Sequence, residues 1–375
     1  MTLKRPYFAN LDGIRAVACL MVFVAHIWDY LNNRQSMHPA ESWIYTNFID
    51  GLGTTGVCLF FVLSGFLITT LLLREKEATG TISLKNFYAR RILRIWPVFF
   101  LVVLLGFVIV PLVSGNFSAG ETGKHLPWYL LFANNFDRIA TGFTGFGNDS
   151  LGVLWSVAVE EQFYLLWPVV ILFTNKRWFW FMLLLIMIIS VIFRLHNSSN
   201  TDIITFHTLS VMGDLAIGSS IAWSVLYLEG FNSARYRIIS YLTLILIFLL
   251  HNILLSKPEN AVLGRTVLAF SFGFLIEDQV RNEKGWFRFS SAKWLSKFGI
   301  ITYGFYCFHL FVIMGMQKLN AVLGLKTIST AVFAAEAIAA FLITAAICIL
   351  SYRYFEQPLL RLKHRFESLP KTTEN

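Results

Sequence analysis

Apolar residues in this chain come as long unbroken runs, without the strict alternation that marks a half-buried strand. A run of about 17–25 apolar residues, wound as a helix, matches the thickness of a lipid bilayer. Ten such runs can be read, near 11–31, 54–73, 92–113, 158–174, 178–195, 207–228, 236–255, 262–279, 298–319 and 329–353. The sixth is diluted by Met212, Gly213, Asp214 and Gly218, and the eighth carries Arg265, Glu277 and Asp278 within or beside it. The pattern predicts an all-α, polytopic membrane protein of about ten transmembrane helices, with no soluble domain and no internal repeat. A membrane unit over 1–358 would be followed by a basic and polar tail over 359–375, and the longest connection would be 114–157.

Charge tests that ladder. With the N-terminus in the cytoplasm, 22 of the 31 Lys and Arg fall in inside segments and 6 in outside ones, leaving Arg15, Arg194 and Lys318 within or at the ends of spans. This is the positive-inside bias, and it predicts both termini cytoplasmic. The net charge of +9 would by itself suggest nucleic acid, but the cations are sorted into alternate short loops, which removes that reading. Only 14% of residues are charged against 56% hydrophobic, too few charges for a soluble domain of this length. Aromatics at 16% suit a lipid-facing shell with interfacial belts. Cys19, Cys58, Cys307 and Cys348 lie inside apolar runs with neither a C-x-x-C pair nor metal-ligand spacing, so they read as core packing and no metal is expected. Lys4 and Arg5 ahead of an apolar run resemble a signal peptide, but Arg15 interrupts the run and no A-x-A site follows, which predicts an uncleaved first span.

Candidate chemistry begins with the two basic groups of the first run, LDGIRAVACLMVFVAHIWDYL. Ionisable residues at membrane depth usually face a bundle interior or a wet cavity. Eleven positions are close to three helical turns, so Arg15 and His26 share one face roughly 16 Å apart, the two ends of one long site. An interfacial, snorkelling Arg15 and a structural His26 are the plain alternatives. On the inner side, SLKNFYARRILRIWP brings Arg90, Arg91 and Arg94 onto one helix with Lys85 near, suited either to a phosphate-rich ligand or to anchoring the helix at anionic headgroups. On the outer side, Glu160 and Glu161 in LWSVAVEEQFYLLWP fall at a depth close to His26. A carboxylate there would orient the imidazole as a general base, or it would serve only as a helix-terminal charge. FFVLSGFLI puts Ser64 and Gly65 mid-membrane, where small residues permit close helix packing. TYGFYCFHLF adds Tyr303, Tyr306 and His309, a polar channel or a satisfied buried network.

Taken together, Arg15-x10-His26, FFVLSGFLI, RRILRIWP, LWSVAVEEQFYLLWP, TYGFYCFHL and YFEQP, in that order from end to end, resemble the membrane acyltransferase-3 family, which moves acyl groups from acyl-coenzyme A to sugars and other hydroxyl acceptors. The resemblance implies a ten-helix O-acyltransferase of the plasma (inner) membrane, of the stand-alone type without an appended extracytoplasmic esterase-like domain. It implies that His26 is catalytic, Arg15 essential and Glu161 a functional acid, and that Arg90, Arg91 and Arg94 bind the donor. On this basis acetyl-CoA or another acyl-CoA is the expected donor. Its head would lie on the arginines and Lys85, and its arm along Ser64, Tyr303, Tyr306 and His309. The acceptor would be a surface polysaccharide or lipid-linked glycan, with Trp128, Tyr129 and Trp155 of the outer loop as its aromatic platform. His26, oriented by Glu161 or Glu160, would act as base, and Tyr306 or Arg15 would steady the oxyanion. The competing expectations are a small hydrophobic acceptor such as a macrolide or lipid, and a transporter of lipid-linked sugar. Transport would call for inverted repeats or paired discontinuous helices, which the sequence does not display.

Overall fold

The computed structural model describes residues 8–32, 43–142, 148–228, 238, 241–242, 258–281, 288–324 and 329–366. Among these the chain is helical with no strand. The long helices are α1 (Ala9–Asn32), α2 (Leu52–Thr79), α3 (Leu84–Leu104, continuing through a π-helical turn at Leu105–Ile109 to Val113), and, after two short helices α4 (Ala119–Leu130) and α5 (Asn134–Thr141), α6 (Leu154–Phe173) and α7 (Lys176–His196). There follow the short α8 (Thr201–Phe206), then α9 (Thr208–Tyr227), α10 (Pro258–Arg281), α11 (Lys293–Val322) and α12 (Thr330–Ser351). The last element leaves α12 through a π-helical turn at Tyr352–Glu356 into α13 (Gln357–Leu362) and a single tight turn at Lys363–Phe366.

Eight of the described helices are long and apolar enough to cross a membrane, so the chain is a multi-pass membrane protein. The seventh sequence run, 236–255, lies almost wholly outside the described residues. The eighth run is the helix α10, which is not among the eight spans. Its polar side chains turn into the protein: Arg265, Glu277, Asp278 and Gln279 are all at most 5% exposed. Arg265 pairs with Asp214 of α9 at 2.7 Å, and Glu277 accepts from Ser224 at 2.9 Å. The two runs that looked weakest in sequence are therefore each other's partners, because a charge in hydrocarbon is tolerated once it is paired. The third helix begins at Leu84, eight residues before its apolar run, because Ser83 caps it by accepting the Asn86 amide. That early start carries Arg90, Arg91 and Arg94 on regular helix.

α2 is the hub, packed on α1, α6, α9 and α10. Its crossing with α9 is backbone on backbone: a Cβ at Gly65 would lie 2.0 Å from the Leu215 carbonyl oxygen, and one at Gly218 1.9 Å from that of Val62. Only glycine allows that approach, as small residues do in membrane helix pairs. The contact is pinned by a chain of hydrogen bonds. Trp167 of α6 donates to Thr69 at 2.8 Å, Thr69 donates to Ser219 at 2.8 Å, and Ser219 donates to the Leu215 carbonyl at 2.8 Å. At the end of α6, the Lys76 ammonium takes three otherwise open carbonyls, Ile171, Leu172 and Thr174, at 2.8–3.0 Å.

Candidate active site

A cavity of about 700 Å³ opens between α1, α2, α3, α6, α11 and the segment after α12. Its lining includes Arg91, Arg94, Lys363 and His364, and this part is called here the arginine end. Arg94 is half-buried and has no hydrogen-bond partner among the described residues. Arg91 lies over the rings of Phe87 and Tyr164 at 5.7 and 5.5 Å. Arg15 stands further in on α1, ion-paired to Asp12 one turn below it. A guanidinium held this way keeps its charge inside the bundle and does not snorkel away.

Half-way along, Ser64 donates to Glu160 Oε1 at 2.6 Å and Tyr164 donates to Glu160 Oε2 at 3.2 Å. Ser64 therefore lines the cavity, and the close helix packing belongs to its neighbour Gly65. Glu161, about 100° further round α6, is off the cavity wall and accepts from the indole of Trp96 at 2.9 Å. The far end of the cavity is closed by Ser156 and Tyr306, whose hydroxyls are 2.6 Å apart.

Behind Tyr306 lies a pair of imidazoles. His26 Nδ1 is 2.9 Å from the Val22 carbonyl and 3.2 Å from His309 Nε2. His309 Nδ1 is 3.1 and 2.8 Å from the carbonyls of Phe305 and Tyr306. Carbonyls only accept, so His309 Nδ1 carries the proton and, in the neutral ring, His309 Nε2 is a lone pair. His26 Nδ1 then faces two acceptors and must itself be protonated. The one nitrogen left with a free lone pair is His26 Nε2, the form a general base requires.

Several sequence expectations need correction. Neither glutamate touches His26; each has its own partner, and the ring is oriented by His309, which the sequence placed on the donor's path. Arg90 is absent from the cavity wall. It is 8% exposed, bound to Glu75 Oε2 at 3.1 Å and to the Phe366 carbonyl at 2.5 Å. Lys85 is exposed and also away from the cavity. Tyr303 and Tyr306 do line it, the Tyr303 hydroxyl donating to the Ile95 carbonyl at 2.8 Å. The unbroken passage expected between the arginines and His26 is interrupted by Tyr306.

The outer loop is also more ordered than its Gly- and Asn-rich tract suggests, although 143–147 lie outside the described residues. Gln162 of α6 ties it down by donating to Phe132 O at 2.7 Å and Asn135 Oδ1 at 2.9 Å. Tyr129 and Trp155 are buried, Tyr129 edge-on to Phe107 at 5.0 Å and Trp155 to Phe206 at 4.9 Å. Only Trp128, 42% exposed, offers an open ring, so the three do not form an aromatic platform. Sequence reading missed Asp12, Tyr164, Glu356, Lys363 and His364. The spacings Asp12–Arg15 and Glu160–Tyr164 were readable as one-turn pairs, whereas Glu356 stands in the YFEQP motif and Lys363 and His364 in the stretch read as a basic and polar tail.

The bundle and its cavity define a membrane-embedded acyltransferase domain, and the chain belongs to the acyltransferase-3 family, whose model matches residues 8–353. It is similar to the peptidoglycan O-acetyltransferase OatA of Listeria monocytogenes, 33% identical over 182 residues, and to the O-acetyltransferase OatA of Staphylococcus aureus, 33% identical over 177 residues. These matches cover 45% and 46% of this chain, which spans about a quarter of the length of either relative (25% and 26%). No solved structure matches the chain.

Proposed function

We propose that this protein is an O-acetyltransferase of the plasma membrane. It would take acetyl groups from acetyl-CoA at the arginine end, which is the cytoplasmic side, and give them to a hydroxyl of a carbohydrate at the far side. The observation that carries the reading is a succession of groups: the guanidinium groups of Arg91 and Arg94 and the side chains of Arg15, Ser64 and Glu160 in the wall of one cavity, and, behind the Tyr306 that also lines it, an imidazole whose Nε2 holds the lone pair. Coenzyme A has the matching shape, a phosphate-rich head on a thin arm. Arg91 and Arg94 suit the phosphates because a planar fork grips two oxygens at once. The arm would run past Arg15 and Ser64, so that the thioester arrives at Tyr306.

With the thioester there, Tyr306 would turn aside, giving up its contacts with Ser156 and the Val153 carbonyl, to admit it to His26. His26 Nε2 takes the proton of the acceptor hydroxyl as that oxygen attacks the thioester carbonyl carbon. The tetrahedral oxyanion is met by the Tyr306 hydroxyl. Collapse breaks the C–S bond, and the proton held by His26 goes to the departing thiolate. His309 never meets substrate in this scheme; it is a positioning residue that keeps the His26 proton on Nδ1. The names of the relatives, one of them a peptidoglycan O-acetyltransferase, favour a saccharide acceptor.

The test is purified protein in detergent with radiolabelled acetyl-CoA, with and without peptidoglycan fragments, other glycans and a macrolide, beside His26→Ala. Label passing to a glycan in the wild type, with loss in the variant, is expected. A transporter would leave acetyl-CoA intact, and no thioester turnover with any acyl donor would refute the proposal.

A further inference from the structure

The segment after α12 is part of the site. Tyr352, Glu356, Leu360, Lys363 and His364 line the cavity together with Arg91 and Arg94 of α3, the helix on which this segment packs. By sequence, a basic and polar tail is expected from 359 onward and Arg90 is placed with the donor-binding arginines. Arg90 is turned away from the cavity and holds the segment in place: one guanidinium nitrogen donates to the Phe366 carbonyl at 2.5 Å, while another pairs with Glu75 at 3.1 Å. Glu75 is fixed in turn, its Oε1 accepting the Ser83 amide at 3.0 Å, and it is only 3% exposed. A buried arginine bonded to a backbone carbonyl at the segment's end and to a braced carboxylate is a clasp.

The chemistry of the wall is graded. Lys363 and His364 are at the rim, His364 exposed and Lys363 half-buried. Glu356 is seven positions earlier, roughly 10 Å further in at a helical rise, and accepts from Ser351 at 3.1 Å. An anionic head would thus be met by cations from two elements, Lys363 and His364 from this segment and Arg91 and Arg94 from α3. We infer that Lys363 and His364, presented by the Arg90–Glu75 clasp, are the second half of the phosphate-binding mouth for the donor's nucleotide head. This rests on the acetyl-CoA reading above. Arg90 is then a positioning residue that meets no substrate.

The experiment compares the full-length wild type, Lys363→Ala/His364→Ala and Arg90→Ala with two donors, acetyl-CoA and S-acetylpantetheine, which lacks the nucleotide head. The rim variant should raise KM for acetyl-CoA about tenfold, the loss of a charge-assisted contact, with kcat within about twofold and no change in KM for S-acetylpantetheine. Arg90→Ala should give the same donor-selective rise and, in addition, faster tryptic cleavage after Lys363 or Arg365. Neither rim side chain is buried, so that variant tests the idea even if Arg90→Ala does not fold. An unchanged KM for acetyl-CoA in the rim variant, with the wild type active, overturns this inference alone. A wild type that turns over neither donor overturns the acetyl-CoA reading, and this one with it.

Discussion

Two imidazoles 3.2 Å apart dictate each other's protons, and this gives His309 a role that can be separated from packing. Glutamine at 309 could still offer a carbonyl oxygen to His26 Nδ1, whereas leucine offers none. His309→Leu is expected to lower kcat by about 10²-fold, within the range for disabling a general base, with KM for acetyl-CoA unchanged, and His309→Gln should recover much of that loss. Steady-state kinetics decide it, and equal kcat in the two variants would contradict the tautomer argument. His26 was legible in the sequence because a histidine in a membrane helix is conspicuous by its cost. Its partner was not: depth along a helix can be counted from sequence, but the angular position that separates Glu160, facing the cavity, from His26 is set by how α1, α6 and α11 are rotated against one another. Arg90 lies one turn before Arg94 on the same helix, and what takes it off the cavity wall is its pairing with Glu75 and the Phe366 carbonyl, partners that spacing does not reveal.

Helix pairs show where the stability of such a site comes from. The α2–α9 crossing leaves no room for one methyl group at Gly218, since the obstacle is the Val62 carbonyl and not a movable side chain. Gly218→Ala is therefore expected to cost at least the ~1–3 kcal/mol typical of overpacking, and to appear as a lowered melting temperature in detergent. Its measurable control is Gly120→Ala, where nothing lies within 4 Å of the added carbon and the melting temperature should hold. Lys76 makes a second test at this scale. Lys76→Met keeps the stem but releases three carbonyls at the end of α6, and should lower the melting temperature by a few degrees while leaving the far end of the cavity intact. Most of these helices were legible from hydropathy alone, because a bilayer sets their length. The exceptions have a common cause. The polar content of α9 and α10 looked like a defect in two spans, and the cap at Ser83 lies in a polar stretch that an apolar scan ignores.

At the level of the whole molecule, the cavity lining runs from the exposed His364 to the buried Ser156–Tyr306 contact. On the proposed reading, donor and acceptor would approach Tyr306 from opposite faces. The four native cysteines are all buried, which leaves the chain dark to a water-soluble thiol reagent. Ser64→Cys would place one thiol on the cavity wall at mid-depth. In inside-out vesicles a small, charged methanethiosulfonate should modify it, and acetyl-CoA should slow the reaction by filling the space in front of it. In right-side-out vesicles the same reagent should leave it untouched, because Tyr306 blocks the route from the other face. Fast modification from the outer face would mean that the passage is open throughout, as a transporter requires. Modification from the inner face that acetyl-CoA does not slow would mean that the donor binds elsewhere. Protection from the inner face only is the outcome that ties the arginine mouth, the cavity and the histidine pair into one transfer path across the bilayer.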